Sequence, residues 1–171
     1  MKKYFILFAI GLAAITFSSC HSSKAGMDSV YMGGRESAAS YSGGRSIVKS
    51  AMKYMGRPYK YGSTGPNGFD CSGLVFTAYK ENGISIARSS SEQYRQGKKI
   101  KKIKKLKEGD LVFFCTGKSR RTVNHVGIVS DVDKKNNDFL FIHAASKGVT
   151  TSNYSSSYYR KRYAGARRII E

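Results

Sequence analysis

The chain has 171 residues, with 30 Lys and Arg against 11 Asp and Glu, a net charge of +19. An excess of that size concentrates polyanions around the protein and makes an anionic partner the expectation. The 3 histidines and 3 cysteines include no close ligand pair, which leaves a metal centre without donors. In chain order, Lys2 and Lys3 precede an uncharged apolar run from Tyr4 to Phe17, and Ser18, Ser19 and Cys20 follow. This is the pattern of a secretion signal, with an apolar core shorter than the about twenty residues a membrane span needs. Cleavage before Cys20 would remove residues 1–19 and leave that thiol at the new N-terminus, as in a bacterial lipoprotein; a plain secretory signal followed by a coincidental cysteine is the alternative. Residues 20–43 are rich in Ser, Gly and Ala without a hydrophobic period and read as a flexible tether.

Residues 44–171 hold 26 basic against 9 acidic side chains, a net +17, and have the size of one domain with one core. Apolar spacing predicts helices near 46–55, 71–82 and 90–96, then strands near 110–115, 125–130, 138–143 and 166–170. Helices first and strands after argue an α+β fold, in which the helix beginning at Cys71 packs on an antiparallel sheet. Between them Lys98, Lys99, Lys101, Lys102, Lys104, Lys105 and Lys107 alternate with Ile100, Ile103 and Leu106, so the apolar trio anchors a basic segment. A second basic cluster holds Arg160, Lys161, Arg162, Arg167 and Arg168. Nucleic acid is one candidate, but a secreted chain rarely meets it, so no nucleic-acid partner is expected and anionic envelope polymers or lipid headgroups fit the address better.

The stretch Phe69-Asp70-Cys71-Ser72-Gly73-Leu74-Val75 places a cysteine where a polar turn becomes a helix. Asp70 is a good N-cap, Leu74, Val75, Ala78 and Tyr79 repeat at helical spacing, and Gly83 can stop the helix. In a first turn, unpaired N–H groups and the positive end of the helix dipole favour a thiolate. His125 opens the run His-Val-Gly-Ile-Val and His143 closes Phe-Leu-Phe-Ile-His, both at strand edges. A buried small hydrophobe would account for Cys71, and a structural histidine for either His125 or His143 alone. The order of cysteine, histidine and a further polar residue on the next strand is the one a cysteine peptidase triad assembled from distant segments requires. Cys115 ends the run Leu111-Val112-Phe113-Phe114 and reads as a buried small hydrophobe; a disulfide to Cys71 is the alternative.

These residues resemble the NlpC-type cell-wall cysteine peptidases over about residues 44–171. Arg57-Pro58-Tyr59-Lys60-Tyr61-Gly62 is followed by the Cys71 motif, then Arg88-Ser89-Ser90 with Glu92-Gln93, Glu108-Gly109-Asp110-Leu111-Val112-Phe113-Phe114, His125-Val126-Gly127-Ile128-Val129 and Ile142-His143-Ala144. The resemblance implies a papain-like α+β fold and a peptidoglycan endopeptidase that works through a thioester without a cofactor or metal. Cys71 would be the nucleophile, His125 the general base, His143 the residue that orients it, and Tyr59 a stabiliser of the oxyanion. Asp70, Ser72 and Ser90 match positions lining the cleft in members that recognise a free N-terminal amine. Two departures stand out: residues 131–138 look like a longer hairpin loop, and Ser63 replaces a common glycine. A basic lipoprotein that binds the wall without catalysis, or a thiol-dependent acyltransferase on the same fold, are the alternative readings. With Cys20 lipidated, the protein would be anchored to a bacterial membrane in the cell envelope, facing the periplasm or wall.

Overall fold

The computed structural model describes residues 35–171, so the signal segment, Cys20 and much of the expected tether lie outside the described residues. The first helix, α1, runs Arg35–Met52. It starts well before the expected residue 46 and continues through the start of the domain, because Gly43 and Gly44 do not break it. Gly44 lets the helix touch the turn before the sheet, where an added Cβ would lie 2.2 Å from the carbonyl oxygen of Glu108. Helix α2 spans Cys71–Lys80, with Asp70 as N-cap accepting from the Gly73 N–H. Helix α3 is a short turn, Ser90–Gln93, capped by Ser89.

Strands β1 (Lys98–Ile100), β2 (Leu111–Phe114), β3 (His125–Asp133), β4 (Asp138–Ala145), β5 (Gly148–Asn153) and β6 (Tyr163–Arg168) form one antiparallel sheet in the order β1-β6-β2-β3-β4-β5. Helix α4, Ser157–Arg160, joins β5 to β6. The fold is the expected α+β arrangement of helices followed by an antiparallel sheet. Two edge strands were not expected. The edge β1 lies inside the lysine run, and β5 carries the polar stretch Thr150-Thr151-Ser152-Asn153. Residues 131–138 are half strand and half turn: β3 and β4 extend to Asp133 and Asp138, and the Asp133 carboxylate accepts the N–H groups of Lys135 and Asn136, both at 3.0 Å, to close the turn at 134–137.

Strand alternation sorts the core into two faces. Leu111, Phe113, Val126, Ile128, Ile142 and Ala144 meet α1 and α2 through Ile47, Ala51, Leu74, Val75 and Ala78. Val112, Phe114, Val129, Phe139 and Phe141 point the other way and are covered by Leu106, with Ile100 and Ile103 packed against them. The apolar trio of the lysine segment is thus its anchor, as its spacing predicts. Both faces of the central strands are buried, so β2 reads as a continuous apolar run rather than an alternating one. At the base of the sheet Asp110, 3% exposed, accepts a bidentate pair from Arg168 at 2.8 and 2.7 Å.

Candidate active site

Cys71 enters the site from the helix layer. The Asp70 carboxylate caps α2 through the Gly73 N–H at 2.6 Å and also accepts from the Ser72 hydroxyl at 3.0 Å and from Arg88 at 2.6 and 3.1 Å. Burial alone would raise the Asp70 pKa; the bonds from Arg88, Gly73 and Ser72 outweigh it and hold the carboxyl below its ordinary value. Gln93, fully buried, donates to the Ser72 carbonyl at 3.2 Å and to the Ala87 carbonyl at 2.8 Å, tying the first turn of α2 to the segment that carries Arg88.

The sheet layer supplies the histidines. His143 lies on β4 two residues beyond Phe141, on the face away from α2, and His125 opens β3 with its ring near Phe114. The two imidazoles are nearly perpendicular, with His125 Nε2 3.0 Å from His143 Nδ1. This engagement leaves His125 Nδ1 as the ring nitrogen free for a thiol. Cys71 Sγ reaches over the end of the sheet to the backbone on either side of His125, donating to the Asn124 carbonyl at 3.9 Å and lying within reach of the Val126 N–H. The far nitrogen of His143 meets the Ser152 hydroxyl at 2.9 Å and the Tyr159 hydroxyl at 3.4 Å.

Tyr59 sits where two parts of a cleft join. One part is lined by Asp70, Cys71, Ser72, Arg88 and Ser90, the other by His125, Ser146 and Tyr159, and Tyr59 borders both. Of the expected site residues within the described region, Tyr59, Asp70, Cys71, Ser72, Ser90 and His125 line this cleft, and His143 lies buried behind His125. Burial and the neighbouring Cys71 and Asp70 raise the Tyr59 pKa, so its hydroxyl is a proton donor at neutral pH. Arg88, Gln93, Ser152 and Tyr159 are the additions. Arg88 and Gln93 fall inside quoted motifs, but their partners are far away in sequence; Ser152 and Tyr159 carry no local signal.

One expectation about Cys71 needs correction. Burial pushes its thiol up, against the pull of the Val126, Ser72 and Cys71 N–H groups, so desolvation outweighs the helix start and the resting group is a thiol. Burial likewise lowers His125 to about 4, and burial with the adjacent His125 lowers His143 to about 3. The two imidazoles and the thiol are therefore neutral at rest. Cys115 is buried and, like Cys71, free, so the disulfide alternative is not formed.

The same shifts make a stability prediction. Unfolded histidines take up protons near pH 6.5, while His125 and His143 stay neutral in the folded chain to about 4 and about 3. Stability from keeping them neutral is complete above about pH 6.5 and is lost as pH falls toward the folded values. By pH 5 the expected loss is about 2 kcal/mol per histidine. Urea unfolding at pH 7 and pH 5 checks this, and a His125→Gln, His143→Gln variant should lose most of the difference. Equal pH dependence in both proteins would refute it.

With fold and geometry established, the sequence pattern of the NlpC/P60 family matches residues 56–168. The chain belongs to that family. It is 38% identical over 127 residues to the murein DD-endopeptidase MepH of Escherichia coli, covering 72% of this chain and 45% of that protein. It is 36% identical over 124 residues to the bifunctional muramidase/DL-endopeptidase CwlT of Bacillus subtilis, covering 72% and 36%. The chain thus matches less than half the length of either relative. A lipoprotein-like NLP/P60 family structure from Staphylococcus aureus superposes with a TM-score of 0.66 at 33% identity, over 76% of this chain and 42% of that one.

Proposed function

We propose that the protein is a cysteine peptidase that hydrolyses amide bonds in the peptides of peptidoglycan. The observation that carries this reading is the approach of the Cys71 thiol to the backbone flanking His125, with His125 backed by His143 across 3.0 Å. Cys71 Sγ attacks the scissile carbonyl carbon while its proton passes to His125 Nδ1. The oxyanion accepts from the Tyr59 hydroxyl and from N–H groups at the start of α2. Collapse expels the amine, which takes the proton from His125 and leaves a thioester; water, deprotonated by the same ring, releases the acid and restores the thiol. Asp70, Ser72 and Ser90 form the wall against which the substrate lies, with Arg88 holding Asp70 and Ser72 in place. The relatives named above act on DD and DL bonds respectively, so the reading extends to the reaction class and not to one bond. Its test is incubation of purified peptidoglycan with the full chain and mass spectrometry of released fragments. New free amines within the peptides are expected; binding without release would favour a wall-binding module.

The address follows from the N-terminus and the charge. We infer a chain lipidated at Cys20, held at a membrane in the envelope, with the Lys98–Lys107 segment facing anionic polymer or headgroups. Among the described residues no helix is long and apolar enough to cross a membrane. Lys98, Lys99, Lys101, Lys102 and Lys105 gather with Arg168 around one groove at the β1 edge, where exposed charges are screened beyond about 8 Å at physiological salt. Cell fractionation should find the wild type with membranes and Cys20→Ala in the soluble fraction. With Lys101, Lys102, Lys104 and Lys105 changed to Gln, binding to sacculi should lose its salt dependence. A soluble wild type removes the anchor, and an unchanged salt response removes the role of the lysines.

A further inference from the structure

Resting on the reading of Cys71 and His125 above, we propose that Ser152 is a positioning residue: its hydroxyl is the acceptor that holds His143, and through it His125, in the tautomer able to receive the proton of Cys71. The argument follows the protons outward. His125 Nε2 is engaged with His143 Nδ1 at 3.0 Å, so only His125 Nδ1 can take a proton from the thiol. It must be bare to do so, which puts the proton of the neutral ring on Nε2 and makes it the donor to His143 Nδ1. His143 Nδ1 must then also be bare, and its own proton lies on Nε2. His143 is 1% exposed, so that N–H cannot turn to bulk water and needs an acceptor in the protein.

Ser152 is placed to be that acceptor. It stands on β5 opposite Phe141, two residues along the ladder from the pair His143 and Thr150, a diagonal position on the same face as His143. Its Oγ lies 2.9 Å from His143 Nε2, and the Tyr159 hydroxyl stands behind at 3.4 Å. Tyr159 also packs edge-on against the His143 ring and parallel to the His125 ring. Ser152 can donate its own hydrogen bond to the Tyr159 oxygen, so every hydrogen in the string points away from Cys71. In the opposite arrangement Ser152 donates inward, each imidazole carries its proton on Nδ1, and the thiol faces an N–H that cannot act as a base. The direction of the string decides whether the site is competent, and Ser152 is where that direction is set.

The test reads the tautomers directly. In the full-length protein with 15N-labelled histidine, long-range 1H–15N correlations distinguish Nδ1–H from Nε2–H, with His125 and His143 assigned from single His→Gln variants. The wild type is expected to show Nε2–H on both rings. Ser152→Ala should give mixed tautomers at His143 and a kcat lower by roughly tenfold to a hundredfold with KM little changed, and Ser152→Thr should restore both. Wild-type His143 carrying its proton on Nδ1 would overturn the proposal even if the alanine variant failed to fold. So would Ser152→Ala with pure Nε2–H tautomers and a kcat within about twofold of wild type. The tautomer readout does not depend on whether Cys71 is the nucleophile. Failure of that reading shows separately, as digestion that survives loss of the Cys71 thiol.

Discussion

Cys71→Ala should release no fragments from purified peptidoglycan while melting within a few degrees of the wild type. The loss of rate expected for a missing nucleophile is on the order of a thousandfold or more. The structural cost is small, because the substitution removes one sulfur at the lip of the cleft and leaves the Asp70 cap, the Arg88 pair and the Gln93 tie of α2 in place. His125→Ala should match it in severity. His143 should separate by chemistry: Asn offers a carbonyl oxygen that can still accept from His125 Nε2–H, and Ala offers nothing, so His143→Asn should retain more activity than His143→Ala. Digestion that persists in Cys71→Ala would remove the enzyme reading, and equal loss in the two His143 variants would remove the orienting role.

Gly73→Ala should be the most damaging single-methyl change near the site. In an exposed helix the substitution gains about 1 kcal/mol from propensity. Here the new Cβ would sit 2.1 Å from the Ser63 carbonyl oxygen, 3.0 Å from its carbon and 3.1 Å from Asp70 Oδ1. The first two are backbone atoms, and the Ser63 carbonyl is the acceptor for the Asp70 N–H at 3.0 Å. Relief of the overlap must drive the Tyr59–Thr64 segment away from the start of α2, parting Tyr59 from Cys71. A net destabilisation of about 3 kcal/mol is expected, read as a fall in melting temperature of roughly 10 °C, with activity falling further than stability accounts for. Gly56→Ala is the control, since a Cβ there meets nothing within 4 Å and only the φ of +78° opposes it. Equal melting of the two variants would show that the close approach at Gly73 is unimportant.

What could be read from the sequence was whatever one element states by itself. Leu74, Val75, Ala78 and Tyr79 describe a helix with one buried side, and Leu111 to Phe114 describe a central strand, because burial selects apolar residues at the period of the element. The two edge strands escaped because an edge takes its identity from its neighbour. In β1, Lys98, Lys99 and Ile100 are held by pairing with Arg168, Arg167 and Ala166, and lysine is what protects such an edge from further pairing. Cys71, His125 and His143, the proposed nucleophile, base and orienter, were visible because chemistry restricts residue type. Arg88 with Asp70, and Ser152 with His143, were not, since serine and arginine are common and only folding brings each to its partner. The thiolate expectation failed for a related reason: a helix start is a local property, whereas the burial that outweighs it exists only in the folded chain.

In the proposed mechanism the nucleophile rides on a helix and its base on the sheet, so the two halves of the reaction belong to separate slabs joined by oil. Between them Leu74 and Val75 of α2 share one apolar cluster with Val126, Ile128 and Ile142 of the sheet, side chains that line neither part of the cleft. In mechanical terms that apolar layer is the spacer of the instrument. A change of volume in that layer is expected to shift the proposed nucleophile relative to its base.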